Sequence, residues 1–164
     1  MLDEQGRREL EAAYRECGPD LWRALYAFGN GDRDLADEVV AEVFMQAAHA
    51  LGGIRDLRSW LFAASFRIAR GELKRRRHRA QLEHAPLRIP DGVAIDPAQQ
   101  VDDLLAPLAS LTVKERSAFV LREVLGCSTG ETARLLGITE VAVRVRIHGA
   151  RNRLRRLAQE VERL

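Results

Sequence analysis

The amino-acid sequence predicts an all-α protein: a helical bundle over residues 1–79 and a helix-turn-helix domain over 102–164, two small domains joined by a flexible linker over 80–101. Apolar residues recur at spacings of three and four through nearly every stretch outside that linker. Three of the five prolines, Pro86, Pro90 and Pro97, gather inside it, where no period holds. The stretch Ser128 to Arg156, STGETARLLGITEVAVRVRIHGARNRLRR, has the form of two short-coupled helices, the second running on towards the C-terminus.

In order, Leu10, Ala13, Tyr14 and Cys17 make one helical stripe, and Pro19 is expected to start a second helix lined by Leu21, Trp22, Leu25 and Phe28 and ended by Gly29-Asn30-Gly31. From Asp34 to about Leu51, Leu35, Val39, Val40, Val43, Phe44 and Ala47 form the next stripe, leaving Asp37, Glu38 and Glu42 outside it. Residues 32–42 hold five acids and one arginine, which suits a basic protein partner and not phosphate. Acids near a helix N-terminus are also favoured by the dipole without any partner.

After Gly52-Gly53 a helix from Ser59 to about Arg79 is expected, with Trp60, Leu61, Ala64, Ile68 and Leu73 on its buried side and Phe62 and Phe66 either in the core or free to stack on bases. Between Arg55 and Arg79 nine lysines and arginines stand against Asp56 and Glu72. A helix C-terminus accounts for one or two cations. The run Lys74 to Arg79, KRRRHR, exceeds that and points to phosphate.

Fully extended, the 22 residues of the linker reach at most about 70 Å, roughly two turns of duplex, so one molecule can hold two DNA sites. Helices are expected over Val101 to Leu108 and over Thr112 to Leu125, the latter with Val113, Arg116, Val120 and Leu121 on one face. In the helix-turn-helix, Ser128 or Thr129 caps the first helix, Gly137 takes the turn and Thr139 caps the second, whose stripe is Val143, Ile147, Ala150, Leu154, Leu157 and Val161. At about 100° per residue this leaves Val141, Ala142, Val145 and His148 outward, with Arg144 and Arg146 on opposite flanks. Such a tip suits thymine methyl groups or a neighbouring helix, and the arginines can reach a guanine edge or phosphates.

The net charge is only +2, with 46% hydrophobic and 30% charged residues, so the charges speak through their placement. Cys17 and Cys127 lack CxxC spacing, and His49, His78, His84 and His148 are scattered, which points to thiols in a reducing compartment, no metal, no cofactor and no enzyme. No signal-peptide run is present, and no apolar run approaches the roughly 18 residues of a membrane-spanning helix. A cytoplasmic protein is expected.

The segments DLADEVVAEVF (Asp34 to Phe44), RSWLFAASFRIAR (Arg58 to Arg70) and Glu115 to Arg156, with ER, LREVLG, ETARLLGIT and VRIHGARNRL in order, resemble the extracytoplasmic-function (ECF) sigma factors of bacterial RNA polymerase. The resemblance covers nearly the whole chain. It implies that Asp37, Glu38 and Glu42 bind the basic coiled coil of the polymerase clamp. It implies further that the loop Gly52 to Leu57 and the helix after it, through Arg55, Arg67, Arg70, Lys74, Arg75, Arg76 and Arg77, open and read a minus-ten element. The last helix, through Thr139, Val141, Ala142, Arg144, Val145, Arg146, His148 and Arg151, would read a minus-thirty-five element. Core polymerase, promoter DNA and an anti-sigma protein are the implied partners.

Departures from the family pattern fall at Gly71, where Asn is common, at the short loop 52–57, and at Ala142, Val145 and Gly149, where Thr, Ser and Arg are frequent. Two further functions fit parts of the sequence. A stand-alone helix-turn-helix regulator uses the C-terminal domain and leaves the acidic helix without a purpose; a decoy that titrates an anti-sigma factor tolerates the replaced polar positions.

Overall fold

The computed structural model describes residues 2–82 and 105–164, and every regular element among them is helical. The proposed linker lies outside the described residues except at 80–82, which continue the helix before it. Asp3 opens the first helix, α1 (Glu4–Phe28), by accepting a hydrogen bond from the Gly6 backbone at 2.7 Å. The helix runs straight through Pro19, where a break was expected. Proline removes one backbone donor, but Cys17 and Leu21 on either side of it belong to one buried stripe, and their packing outweighs the lost bond.

Asn30 and Gly31 both take positive φ (55° and 82°) and turn the chain into α2 (Arg33–Ala50), whose first turn is capped by Asp32 accepting from Leu35 at 2.9 Å. Leu35, Ala36, Val39, Val40, Val43 and Ala47 are its buried face. A short 3₁₀ turn, Leu51–Gly53, leads to α3 (Leu57–Leu82), where Asp56 takes the Ser59 backbone and hydroxyl at 3.1 and 2.5 Å. The three helices pack on one another. Phe28 and Phe66 meet edge to face at 5.2 Å between ring centres at the middle of this bundle. Phe62 and Phe66 are fully buried whereas Trp60 is half-buried, so these two phenylalanines are core and cannot stack on bases.

Of the helix expected over Val101 to Leu108, residues 101–104 lie outside the described residues; Leu105 is helical and a 3₁₀ turn, Ala106–Ser110, follows it. Thr112 and Glu115 form a reciprocal capping box at the start of α4 (Val113–Phe119), which widens into one π turn over Val120–Val124. Ser128 and Glu131 form a second box at α5 (Thr129–Leu136). Gly137 then sits at φ 65°, its N–H on the carbonyls of Ala133 and Arg134, and Thr139 caps α6 (Glu140–Glu162). Ala118, Ala133, Val143 and Ile147 are the small core of this joint. The expected stripe on α6 is buried only as far as Ala150; Leu154 and Leu157 are half-buried and Val161 is exposed, because the helix outruns the elements that could cover it.

Gly149 has a packing reason. A Cβ there would stand 2.9 Å from Oε1 of Glu115, whose Oε2 pairs with Arg153 at 3.0 Å, so the glycine admits the carboxylate between α4 and α6. The two helical units are docked: α5 lies on α3, and Leu108, Leu111, Leu121, Cys127 and Leu135 join the same apolar cluster as Phe28 and Phe66. Both cysteines are free and buried.

The left-handed turn at Gly137 is a point of leverage, since an L-residue there costs about 1 to 2 kcal/mol. Gly137→Ala should lower the unfolding free energy by about that amount in urea titrations, while Thr139→Ala, which removes one cap, should cost about 1 kcal/mol.

Candidate protein-binding and nucleic-acid interfaces

Three carboxylates project from α2, and each is held by a donor of its own. Asp37 Oδ1 accepts from Nε1 of Trp22 at 2.7 Å, and Trp22 is stacked on Tyr26 with ring centres 5.0 Å apart. Glu38 accepts from Arg76 at 2.9 Å, and Glu42 from Gln46 at 2.6 Å. These acids are therefore oriented before any partner arrives, which lowers the ordering cost of binding. Trp22 read in the sequence only as one residue of an apolar face; nothing in local spacing links it to a carboxylate fifteen positions on.

Across from them, α3 ends in the basic run. Arg76 is not free for phosphate here. Its guanidinium bridges Asp32 at 2.7 Å, Glu38 at 2.9 Å and Glu72 at 3.0 Å, so it ties the start of α2 to the end of α3. Glu72 also takes Arg75 at 2.6 Å, and hydrogen bonds from Arg75 and then Arg76 hold its carboxyl below the usual range. Arg55, Arg67, Arg70, Lys74 and Arg77 are exposed. Between the acids and the bases runs an open groove of about 660 Å³, lined among others by Glu38, Glu42, Met45, Arg67 and Gly71. The missing side chain at Gly71 faces open space.

On α6 the tip is apolar and exposed, with Val141 and Val145 at 62% and 66% of full exposure and His148 exposed beside them, while Ala142 is half-buried. Thr139 Oγ1 is occupied as the cap of Ala142 at 3.1 Å. Arg144 is exposed, with a loose pair to Glu140 at 3.7 Å, and Arg151 pairs with Glu123 at 2.7 Å. Arg146 differs from Arg144: it is half-buried, and burial followed by the neighbouring charge of Arg70 on α3 disfavours its protonated form. Among the described residues no group of His, Cys, Asp and Glu could hold a metal, and no helix is long and apolar enough to cross a membrane.

Residues 102–154 match the family model described as Sigma-70, region 4. Over 153 residues the chain is 35% identical to the RNA polymerase sigma factor CnrH of Cupriavidus metallidurans, covering 84% of this chain and 80% of that protein. It is 32% identical over 146 residues to the ECF RNA polymerase sigma factor ShbA of Streptomyces griseus, covering 77% and 71%. The chain belongs to the ECF RNA polymerase sigma factors. Its fold agrees: the structure of CnrH in complex with the cytosolic domain of CnrY superposes with a TM-score of 0.70 at 30% identity, covering 94% of this chain and 90% of that one. The sigma factor RpoE of Bartonella quintana, solved with the anti-sigma factor NepR, gives 0.78 at 23% identity over 93% and 98% and shares the fold. As an ECF sigma factor, the chain binds core RNA polymerase and promoter DNA and directs promoter-specific initiation.

The Arg76 cluster sets a pH dependence. Glu72 is ionised more readily in the folded chain than in the unfolded one, so its contribution is present at neutral pH and is lost as pH falls through the carboxylate range. Arg76→Ala should cost about 1 kcal/mol of stability at pH 7, and the difference from the parent should shrink as pH falls through and below the carboxylate range, as read by urea melts across a pH series. A cost that persists undiminished in acid would assign Arg76 a packing role instead.

Proposed function

We propose that this ECF sigma factor engages core polymerase through the acidic face of α2 and divides promoter reading between its two helical units. Residues 1–79 would handle the minus-ten element and 102–164 the minus-thirty-five element, joined by 80–101. The observation that carries this reading is the separation of charge on a chain of this family: Asp37, Glu38 and Glu42 are pre-oriented on one helix, while Arg67, Arg70, Lys74 and Arg77 lie exposed on another. Acids in that arrangement complement a basic protein surface, and the exposed bases complement phosphate. On this reading the chain is a dissociable specificity subunit in the cytoplasm, with no catalysis of its own, and the bond-forming chemistry belongs to the polymerase. Because similar sigma factors have been solved with NepR and with CnrY, an anti-sigma protein is inferred as a further partner.

In α6 the work is split between apolar and charged contacts. Val141 and Val145 suit thymine methyl groups, Arg144 a guanine edge, and Arg146 the phosphates. Arg75 and Arg76 contribute less to DNA than Lys74 and Arg77, since their charges are already spent on Glu72, Glu38 and Asp32. The exposed apolar tip also suits a sigma-like decoy that binds an anti-sigma factor and has given up promoter reading.

Run-off transcription with purified core polymerase on selected promoter fragments decides between them: specific transcripts support the sigma factor, and their absence with intact core binding supports the decoy. Reversing Asp37, Glu38 and Glu42 together should weaken core binding at least tenfold, about 1.4 kcal/mol or more, by titration against labelled core. Unchanged affinity would remove these acids from the interface. Arg144→Ala should relax preference at one or two upstream positions at a cost of about 1 to 3 kcal/mol, whereas Arg146→Ala should weaken all sequences alike; selection in which both keep the parent's preference would refute the split.

A further inference from the structure

Most large apolar side chains of α1 and α2 lie in or against the core, and two stand out of it. Tyr14 on α1 and Met45 on α2 are 56% and 53% exposed. They are linked through Phe44: the Tyr14 ring meets it edge to face with ring centres 5.2 Å apart, and Met45 follows it in the chain. A Cβ at Gly18 would come within 3.6 Å of the Tyr14 ring, so that ring lies along α1 over the bare glycine, braced between Gly18 and Phe44.

Met45 stands among the acids of α2. At about 100° per residue it falls on the solvent side, between Asp37 on the α1 flank and Glu42 on the α3 flank, with exposed Ala41 one turn before it. On the α3 flank it lines the groove together with Glu38 and Glu42. Each acid uses one oxygen on its intramolecular donor, Asp37 Oδ1 on Trp22, Glu38 Oε2 on Arg76 and Glu42 Oε1 on Gln46, which leaves the other oxygen for an incoming cation. Single exposed apolar residues are ordinary on a protein surface. An apolar ridge flanked on both sides by oriented carboxylates is not, because it offers two kinds of contact to one partner. Hydrated carboxylates act mainly by steering that partner in. Apolar contacts that lose their water resist its departure, and methionine and tyrosine are enriched at interface centres where acids are depleted.

We propose that Met45, with Ala41 and the braced ring of Tyr14, is the apolar anchor of the surface that α2 presents to core polymerase. It takes the aliphatic stems of lysine or arginine side chains on the polymerase, whose charged heads pair with Asp37, Glu38 and Glu42. A long basic side chain carries both parts, methylenes for the ridge and a cation for the rim. The unbranched, polarizable thioether of Met45 adapts to such stems. The anchor rests on the reading that α2 seats on polymerase, and it divides the labour within that seat: the acids set how fast the complex forms, Met45 how long it lasts.

The test times association and dissociation of the full chain over immobilised core polymerase at several salt concentrations. Met45→Ala should raise the dissociation rate about tenfold and leave the association rate and its salt dependence as in the parent. Met45→Leu, a swap of similar volume, should dissociate within about threefold of the parent. Because Met45 is exposed, both variants should keep the parent's thermal midpoint. Reversing Asp37, Glu38 and Glu42 together should instead slow association and remove its acceleration at low salt. A Met45→Ala chain that leaves as slowly as the parent, while the acid reversal slows association, would overturn the anchor and keep α2 as the seat. If neither change alters binding, α2 is not the seat, and the anchor falls together with the functional reading.

Discussion

Arg76 holds three carboxylates that would otherwise repel one another, and the placement of both functional faces depends on it. Asp32 caps α2, Glu38 stands on the acidic face and Glu72 lies one turn before Arg76 itself, so a single guanidinium fixes the start of one helix against the end of another. The apolar stripes alone allow α2 to slide or roll on α3 at small cost. A planar fork with three acceptors does not. The interaction contributes modestly to stability, since these groups are partly solvated, and more to the uniqueness of the arrangement.

The helix-turn-helix was legible because its punctuation is chemical and local. Ser128, Gly137 at positive φ and Thr139 each state where a helix starts or stops, while the reciprocal bonds of Glu115 to Thr112 and of Glu131 to Ser128 came to light only in the structure. The bundle was legible in its stripes and not in its breaks. Pro19 reads as a helix start, yet tertiary packing of Cys17 and Leu21 carries the helix through it. Trp60 shares a period with Ala64 and Ile68 and packs half-buried against the core, and the bundle buries Phe62 and Phe66 as well because two facing helices cover a wider arc of α3 than one stripe. What no period can show is which charged residues meet: Arg76 with Asp32, or Trp22 with Asp37, are decided by the fold of distant segments.

The departures from the family pattern separate on structural grounds. Gly149 is explained by the Glu115 carboxylate that occupies the space of its missing side chain, so its cost of about 1 kcal/mol in a helix interior is set against a capping box and an ion pair. Gly71 is not explained by packing; its missing side chain opens the groove between the acidic and basic faces. Val145 is exposed on a helix with no covering element in the free chain. If α6 reads bases as proposed, a methyl surface there would trade hydrogen-bond readout, which penalises a wrong base through an unpaired polar group, for contact readout, which penalises it less.

A net charge of +2 conceals a strong internal division, and on the proposed reading that division would couple the two binding events. The α2 acids and the basic end of α3 are adjacent, as the 2.9 Å contact between Glu38 and Arg76 demonstrates, and so lie within the screening length of about 8 Å at physiological salt. In the free chain each phosphate approaching Lys74 or Arg77 therefore also meets the field of nearby carboxylates. A basic surface seated on α2 would cancel that field without touching the DNA-facing side, leaving the cations unopposed. If α2 seats on polymerase and Lys74 and Arg77 on DNA, as proposed above, free sigma factor has weak reason to linger on non-specific duplex, and would gain its affinity for phosphate at the moment polymerase can use it.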